Sequence, residues 1–298
     1  MFAIIGIVVV LGAVVGGYLM EHGQIKVLVQ PAELIIIGGA GLGTLLIANP
    51  LSTIVRILKG VMRVLKGSQY NPAFYLSSLK MLNDLFVMAR KQGMVKLEED
   101  LENPAKSEIF SKYPGFLANH HALAFVCDTL RMAISGGVAA FDLDQMMESD
   151  MDVHHHEASQ PVTALSTVAD SLPGLGIVAA VLGVVITMGA LGGPPEEIGH
   201  KVAAALVGTF LGILMCYGFL GPLASNLQKI NDAETDYLRC LRHGLIAFVK
   251  GSPPVLAVEF ARRGIPGELR PTFKQFETAI RSGPAGTSPA GTSKDAAK

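Results

Sequence analysis

Four stretches of this chain contain no Asp, Glu, Lys or Arg: residues 1–20, 34–55, 171–195 and 202–228. A hydrocarbon core takes about 20 helical residues to cross, and a spanning segment must satisfy its own backbone hydrogen bonds, so each stretch reads as one membrane helix. Composition agrees: half of the 298 residues are apolar, mean hydropathy is +0.43 and charged residues make up 16%, against about 25% in ordinary soluble domains. The sequence predicts an all-α polytopic membrane protein with four transmembrane helices and a helical cytoplasmic domain. Residues 1–20 lack the basic start and small-residue cleavage site of a secretory signal, the earliest Lys or Arg being Lys26, and are expected to remain as a helix.

Basic residues set the expected orientation. Eleven Lys or Arg lie between the second and third spans, beginning with Arg56, Lys59, Arg63 and Lys66, and eleven follow the fourth; the two short loops hold only Lys26 and Lys201. By the positive-inside rule both long polar regions are cytoplasmic, as are both termini, and the short loops, including 21–33, face outward. The expected organisation is 1–55 for helices one and two, 56–167 for a cytoplasmic helical domain, 168–222 for helices three and four, 223–281 for a cytoplasmic helical region and 282–298 for a disordered Gly/Pro/Ser/Thr/Ala tail. Within the insert, Asn71-Pro72 opens a helix carrying Leu76, Leu79, Leu82, Leu85, Phe86 and Ala89, with Gly93 just past its end. A second pattern, Leu123, Phe125, Val126, Leu130 and Ile134, stops at Gly136-Gly137.

Composition also excludes functions. A net charge of −1 gives no reason to expect a nucleic-acid partner. Cys127, Cys216 and Cys240 are scattered, without CxxC or Cys/His spacing, so neither a disulfide framework nor a zinc site is indicated. His154, His155 and His156 point in different directions on a helix, and the acidic segment 142–157 reads as a solvated loop or helix face without a metal. No cofactor is implied.

Glycines four apart, Gly12/Gly16, Gly39/Gly43 and Gly208/Gly212, put small faces on three spans and predict close helix packing. Pro173 and Pro222 lie near the ends of the last two spans that face the cytoplasm. Each removes a backbone donor, and either a hinge or a simple helix-end proline would fit. No span carries a buried carboxylate, lysine or arginine, and only Thr187, Thr209, Cys216 and Tyr217 offer polar atoms well inside the last two. An ion carrier normally places a titratable group at membrane depth. Either this chain conducts no ion, or the titrating group comes from another chain.

The blocks GAVVGGYLMEHG at Gly12, QPAELIIIGGAGLGTLL at Gln30, SLPGLGIVAAVLGVV at Ser171, VGTFLGILMCYGFLGPLA at Val207 and SPPVLAVEFARRGIP at Ser252 resemble the MotA family, ion-conducting stator subunits of the bacterial flagellar motor. The resemblance leaves only the tail and the His-rich acidic segment unmatched. It implies an inner-membrane ring, a pentamer around a MotB dimer that supplies the membrane aspartate and the peptidoglycan anchor. That would explain the missing carboxylate. It further implies that Pro173 and Pro222 couple conformation to ion flow, and that Arg90 and Glu98, reinforced by Lys91 and Glu99, engage the rotor protein FliG.

Thr209, Ala180 and Tyr217 are assigned to the ion path. Sodium must exchange its hydration shell for several protein oxygens. In the family's sodium-driven members a second threonine faces the path where this chain has Ala180, whose methyl cannot ligate, so the expectation is proton coupling. Two other readings stay open. Energy transducers of the ExbB and TolQ type share the proton mechanism but have three spans and lack the Arg90/Glu98 region. A structural scaffold would also explain close-packed glycines.

Overall fold

The computed structural model describes residues 2–189 and 191–281, and its secondary structure there is entirely helical. The tail 282–298, expected to be disordered, lies outside the described residues. Helix α1 (Phe2–Met20) ends in a tight turn at Glu21 and His22, the latter with φ +59°. A single turn, α2 (Ile25–Leu28), leads to α3 (Pro31–Ala48), whose Pro31 occupies a first-turn position where a missing N–H is no loss.

The second charge-free stretch does not continue as one helix to residue 55. The chain leaves helical geometry at Asn49 (φ −135°, ψ 144°) because a residue preceding proline is pushed to extended backbone and Pro50 cannot donate to the ladder. Asn49 closes the end by donating its side-chain amide to the Leu45 carbonyl at 3.1 Å. Helix α4 (Leu51–Lys66) starts at once and is amphipathic: Thr53, Ile57, Gly60 and Val64 are buried at helical spacing, while Leu51, Leu58 and Met62 remain exposed beside the basic Arg56, Lys59, Arg63 and Lys66. The final residues of that stretch thus belong to a separate helix.

Asn71 caps α5 (Pro72–Gln92) by accepting from the Phe74 N–H at 2.9 Å, and Gly93 ends it at φ +87°, where glycine has no Cβ penalty. Then come α6 (Met94–Glu102), the short α7 (Pro114–Leu117) and α8 (His120–Ser135), which Asn119 caps and Gly136 terminates. Helix α9 (Ala140–Met188) runs 49 residues through Pro161 and Pro173. Helix α10 (Pro195–Ile213) passes through a π-helical stretch, Leu214–Leu220, into α11 (Gly221–Val249); α12 (Pro254–Arg263) and α13 (Phe273–Arg281) follow. Among the described residues four helical segments, Phe2–Met20, Ile25–Ala48, Ala140–Met188 and Pro195–Val249, are long and apolar enough to cross a membrane.

The chain divides into two compact units, residues 1–68 with 154–232 and residues 69–153 with 233 onward. The second has a continuous apolar core in which Phe86 stacks on Phe248 with centroids 4.2 Å apart and Tyr237 packs against Tyr70, Phe74 and Tyr75. The buried Tyr237 hydroxyl meets Ser78 Oγ at 2.7 Å, so neither is left unsatisfied. Arg242 joins Asp144 at 2.6 Å and Glu148 at 3.2 Å, and Arg262 clasps Glu259 through two nitrogens while donating to the Pro271 carbonyl.

The first unit has small apolar clusters instead, strung along α3, α4, α9 and the α10–α11 run. Of the three glycine pairs, only Gly208/Gly212 packs within the chain; nothing lies within 4 Å of a Cβ built on Gly12, Gly16, Gly39 or Gly43. At Gly212 such an atom would sit 2.5 Å from the Leu172 carbonyl and 3.0 Å from the Gly176 Cα, and backbone cannot step aside as a side chain can. Gly212→Ala is therefore expected to destabilise the detergent-solubilised chain by about 1–3 kcal/mol, the usual range for overpacking, whereas Gly12→Ala leaves its thermal unfolding unchanged. Matching melting curves for the two variants would contradict this packing.

Candidate functional site

The site is a seam between α9 and α10. Small residues recur at intervals of three and four on both helices: Gly176, Ala179, Ala180 and Gly183 on one, Ala205, Gly208 and Gly212 on the other. A Cβ on Gly176 would lie 2.8 Å from the Gly208 carbonyl and 3.3 Å from the Thr209 Cα; on Gly183 it would lie 2.6 Å from the Ala205 methyl. Approach this close is possible only where side chains are absent, and it brings the two backbones into van der Waals contact.

Ala180 and Thr209, assigned to the ion path on sequence, both belong to this seam and are both half-buried. The backbone nitrogen of Ala180 is 3.3 Å from a Cβ built on Gly208, the residue before Thr209. Thr187 is buried and turned away from such a role, donating to the Gly183 carbonyl at 2.8 Å. Tyr217 is elsewhere: it sits in the π-helical stretch with 72% of its surface exposed, beside the buried Cys216. Pro173 is half-buried next to Leu172, whose carbonyl abuts Gly212, and α9 stays helical through it. Pro222 is exposed in the first turn of α11. The wide turns before it follow the i→i+5 pattern, with the Gly221 N–H donating to the Cys216 carbonyl.

The sequence reading places Glu33 in an outward loop and finds no buried carboxylate in the spans, and the structure corrects both points. Glu33 lies in the first turn of α3 and is only 7% exposed. Its Oε2 would be 2.6 Å from a Cβ on Gly208, in a hollow bordered by Ala179 and Ala180, and it has no hydrogen-bond partner among the described residues. Pro31 was the available signal: it starts the helix before Glu33 and so carries the acid into the bundle.

In the second unit Arg90 and Glu98 lie on α5 and α6, both exposed. Arg90 is more constrained than a free surface charge. Its guanidinium donates to the carbonyls of Gly251 at 2.6 Å and Ser252 at 3.1 Å, closing the turn between α11 and α12. Lys91, Lys96 and Glu99 border a cleft of about 670 Å³ with Asp84, Asp100 and Lys112, and Lys96 pairs with Glu99 at 2.6 Å. His154 and His155 are half-buried and His156 exposed, so the triplet lies within α9 and not in a loop, and it is only partly solvated.

Similarity to known proteins bears on both units. Residues 4–93 match the family described as Motility protein A N-terminal, and residues 118–239 match the MotA/TolQ/ExbB proton channel family. Motility protein A of Salmonella typhimurium is 41% identical over 282 residues, covering 95% of this chain and 96% of its own, and that of Escherichia coli is 42% identical over the same length and coverage. Among solved structures, a chain of C. jejuni MotAB superposes with TM-score 0.75 at 16% identity, covering 91% of this chain and 98% of the other. The Bacillus subtilis flagellar MotAB stator complex gives 0.70 at 21%, covering 86% and 92%. These two show a shared fold, and the near-complete sequence matches show that the chain belongs to the motility protein A family within the MotA/TolQ/ExbB proton channel family.

Proposed function

We infer that this chain is a stator subunit of the bacterial flagellar motor, a multi-pass inner-membrane protein that forms a proton channel with a MotB partner and converts ion flow into torque on the rotor. The observation that carries the reading is the 41–42% identity to motility protein A over 95% of the chain. The geometry supports it in one respect: α9 and α10 meet backbone to backbone, giving a rigid wall beside Ala180 and Thr209. A Cβ on Gly12 or Gly16 of α1, or on Gly39 or Gly43 of α3, would meet no other described residue within 4 Å, which suits a ring of subunits around partner helices.

The finer reading is a pentamer around a MotB dimer, with both termini and the second unit in the cytoplasm and FliG contacted through Arg90 and Glu98. Arg90 then serves two ends, since it also closes the 251–252 turn that would present this face. One charge crossing the membrane releases roughly 2.3 kcal/mol per 100 mV, and an exposed ion pair is worth about 0–1 kcal/mol. Each step can therefore break a rotor contact and make the next.

Swimming speed measured against external sodium at fixed pH, with and without a protonophore, tests the coupling. Speed is expected to be indifferent to sodium and lost with the protonophore; sodium-dependent speed that survives it overturns proton coupling.

Two further outcomes follow from the geometry. Replacing Pro173 or Pro222 by Ala restores a backbone donor and stiffens the last two spans, so assembly should persist while torque under load collapses; normal swimming under load would sink the hinge. Charge reversal at Arg90 should impair motility and also speed hydrogen exchange at the amides of residues 250–252, because two carbonyls of this turn lose their donor. Reversal at Glu98 should impair motility with exchange unchanged. Equal exchange in both variants would show that the Arg90 contacts are dispensable.

A further inference from the structure

Among the described residues of the first unit, Glu33 is the buried carboxylate, and neither the proline hinge nor the rotor face uses it. We propose that Glu33 is a second proton-binding site of the conduction path, loading protons in the seam ahead of the acceptor supplied by the partner; this rests on the stator reading above.

Position comes first. Ala180 is eight residues along α9 from Met188, about 12 Å at the helical rise, and Gly208 is thirteen residues along α10 from Pro195, about 20 Å. The Glu33 carboxylate lies against Gly208 of α10 at that level, facing the same point as the Ala179 methyl and the Ala180 nitrogen of α9. It stands in the layer of Ala180 and Thr209.

Satisfaction comes second. Glu33 is the third residue of α3, from which a capping-box glutamate would reach back to the preceding backbone N–H. It makes no such bond: its carboxylate is turned onto Gly208, and Oε2 is left without a donor. A buried structural carboxylate is normally paired, because an unpaired buried charge is costly. A proton on this group removes that cost, and its departure restores it, which suits a transient binding site.

Ligand class comes third. The atoms nearest the hollow that receives Oε2 at Gly208 are the Ala179 methyl and the Ala180 backbone nitrogen, neither of them an oxygen. A sodium ion needs several oxygens in place of its water shell. A proton needs only the carboxylate itself. Gly208 is then required for space, since any Cβ there would strike the carboxylate.

The test uses this chain with its partner in a motile host lacking its own stator subunit, scoring swimming speed across external pH from mildly acidic to alkaline. Glu33→Gln is expected to match the unmodified chain in acidic medium and to fall severalfold behind in alkaline medium. Glu33→Asp keeps the original shape of the pH profile, and Gly208→Ala, which expels the carboxylate and also crowds the seam, shows the alkaline deficit of Glu33→Gln on top of a loss that is the same at every pH. Immunoblots of the membrane fraction separate loss of protein from loss of flux; if Glu33→Gln does not accumulate, the Asp and Gly208→Ala profiles decide. The proposal is overturned if Glu33→Gln tracks the unmodified chain at every pH, or is slower by one constant factor throughout, as a packing role alone would give. Failure of the unmodified chain to restore swimming would instead overturn the stator reading, and this proposal with it.

Discussion

Contact between the backbones of α9 and α10 is the constraint on which the membrane unit depends. Gly176, Gly208 and Gly212 leave no side chain between the helices, so carbonyls and Cα atoms of one rest on the other. Lipid tails are as apolar as leucine, so burial of hydrocarbon cannot hold two such helices together, and close van der Waals fit must do so. The apolar clusters of this unit are correspondingly small, and many of its leucines, isoleucines and valines are exposed. In the second unit the balance is reversed. There stacked aromatics and a continuous core carry the packing, and polar side chains are tied off by Ser78–Tyr237 and Arg242–Asp144.

The same seam shapes the chemistry. Because Gly208 has no side chain, a carboxylate from α3 can lie against it, and because Ala180 has only a methyl, the neighbouring space offers few ligand atoms. Small residues therefore act twice: they fix the helix separation, and they set which charged group fits beside it. Any enlargement at 208 or 212 alters both together.

Legibility in the sequence followed the range of the interactions involved. The ends of α5 and α8 could be read directly, because Asn71, Gly93, Asn119 and Gly136 act on their own backbone. The four spans were legible from the absence of charge. The break at Asn49-Pro50 was written in a local rule, but the unbroken apolar run obscured it. The glycine pairs look alike in sequence, yet one is packed and two are open, since that depends on which helix arrives opposite. Glu33 reads as a loop residue until Pro31 is taken as the helix start, and its burial depends on Gly208, 175 residues later. Arg90 reads as a surface charge, and only the fold brings Gly251 and Ser252 to it.

The π-helical stretch Leu214–Leu220 has a consequence for how this chain tolerates change in length. Each i→i+5 ring encloses one residue more than an α-helical ring, so the fourth span carries a surplus residue at this point. Loss of one residue within the stretch can be absorbed by tightening to ordinary helix, leaving the faces before and after it nearly in phase. The same loss inside α9 would turn every later side chain by about 100° and scatter the small residues of the seam around the helix. Of the two long helices, one is fixed in register and the other has slack, and that slack lies immediately before Pro222.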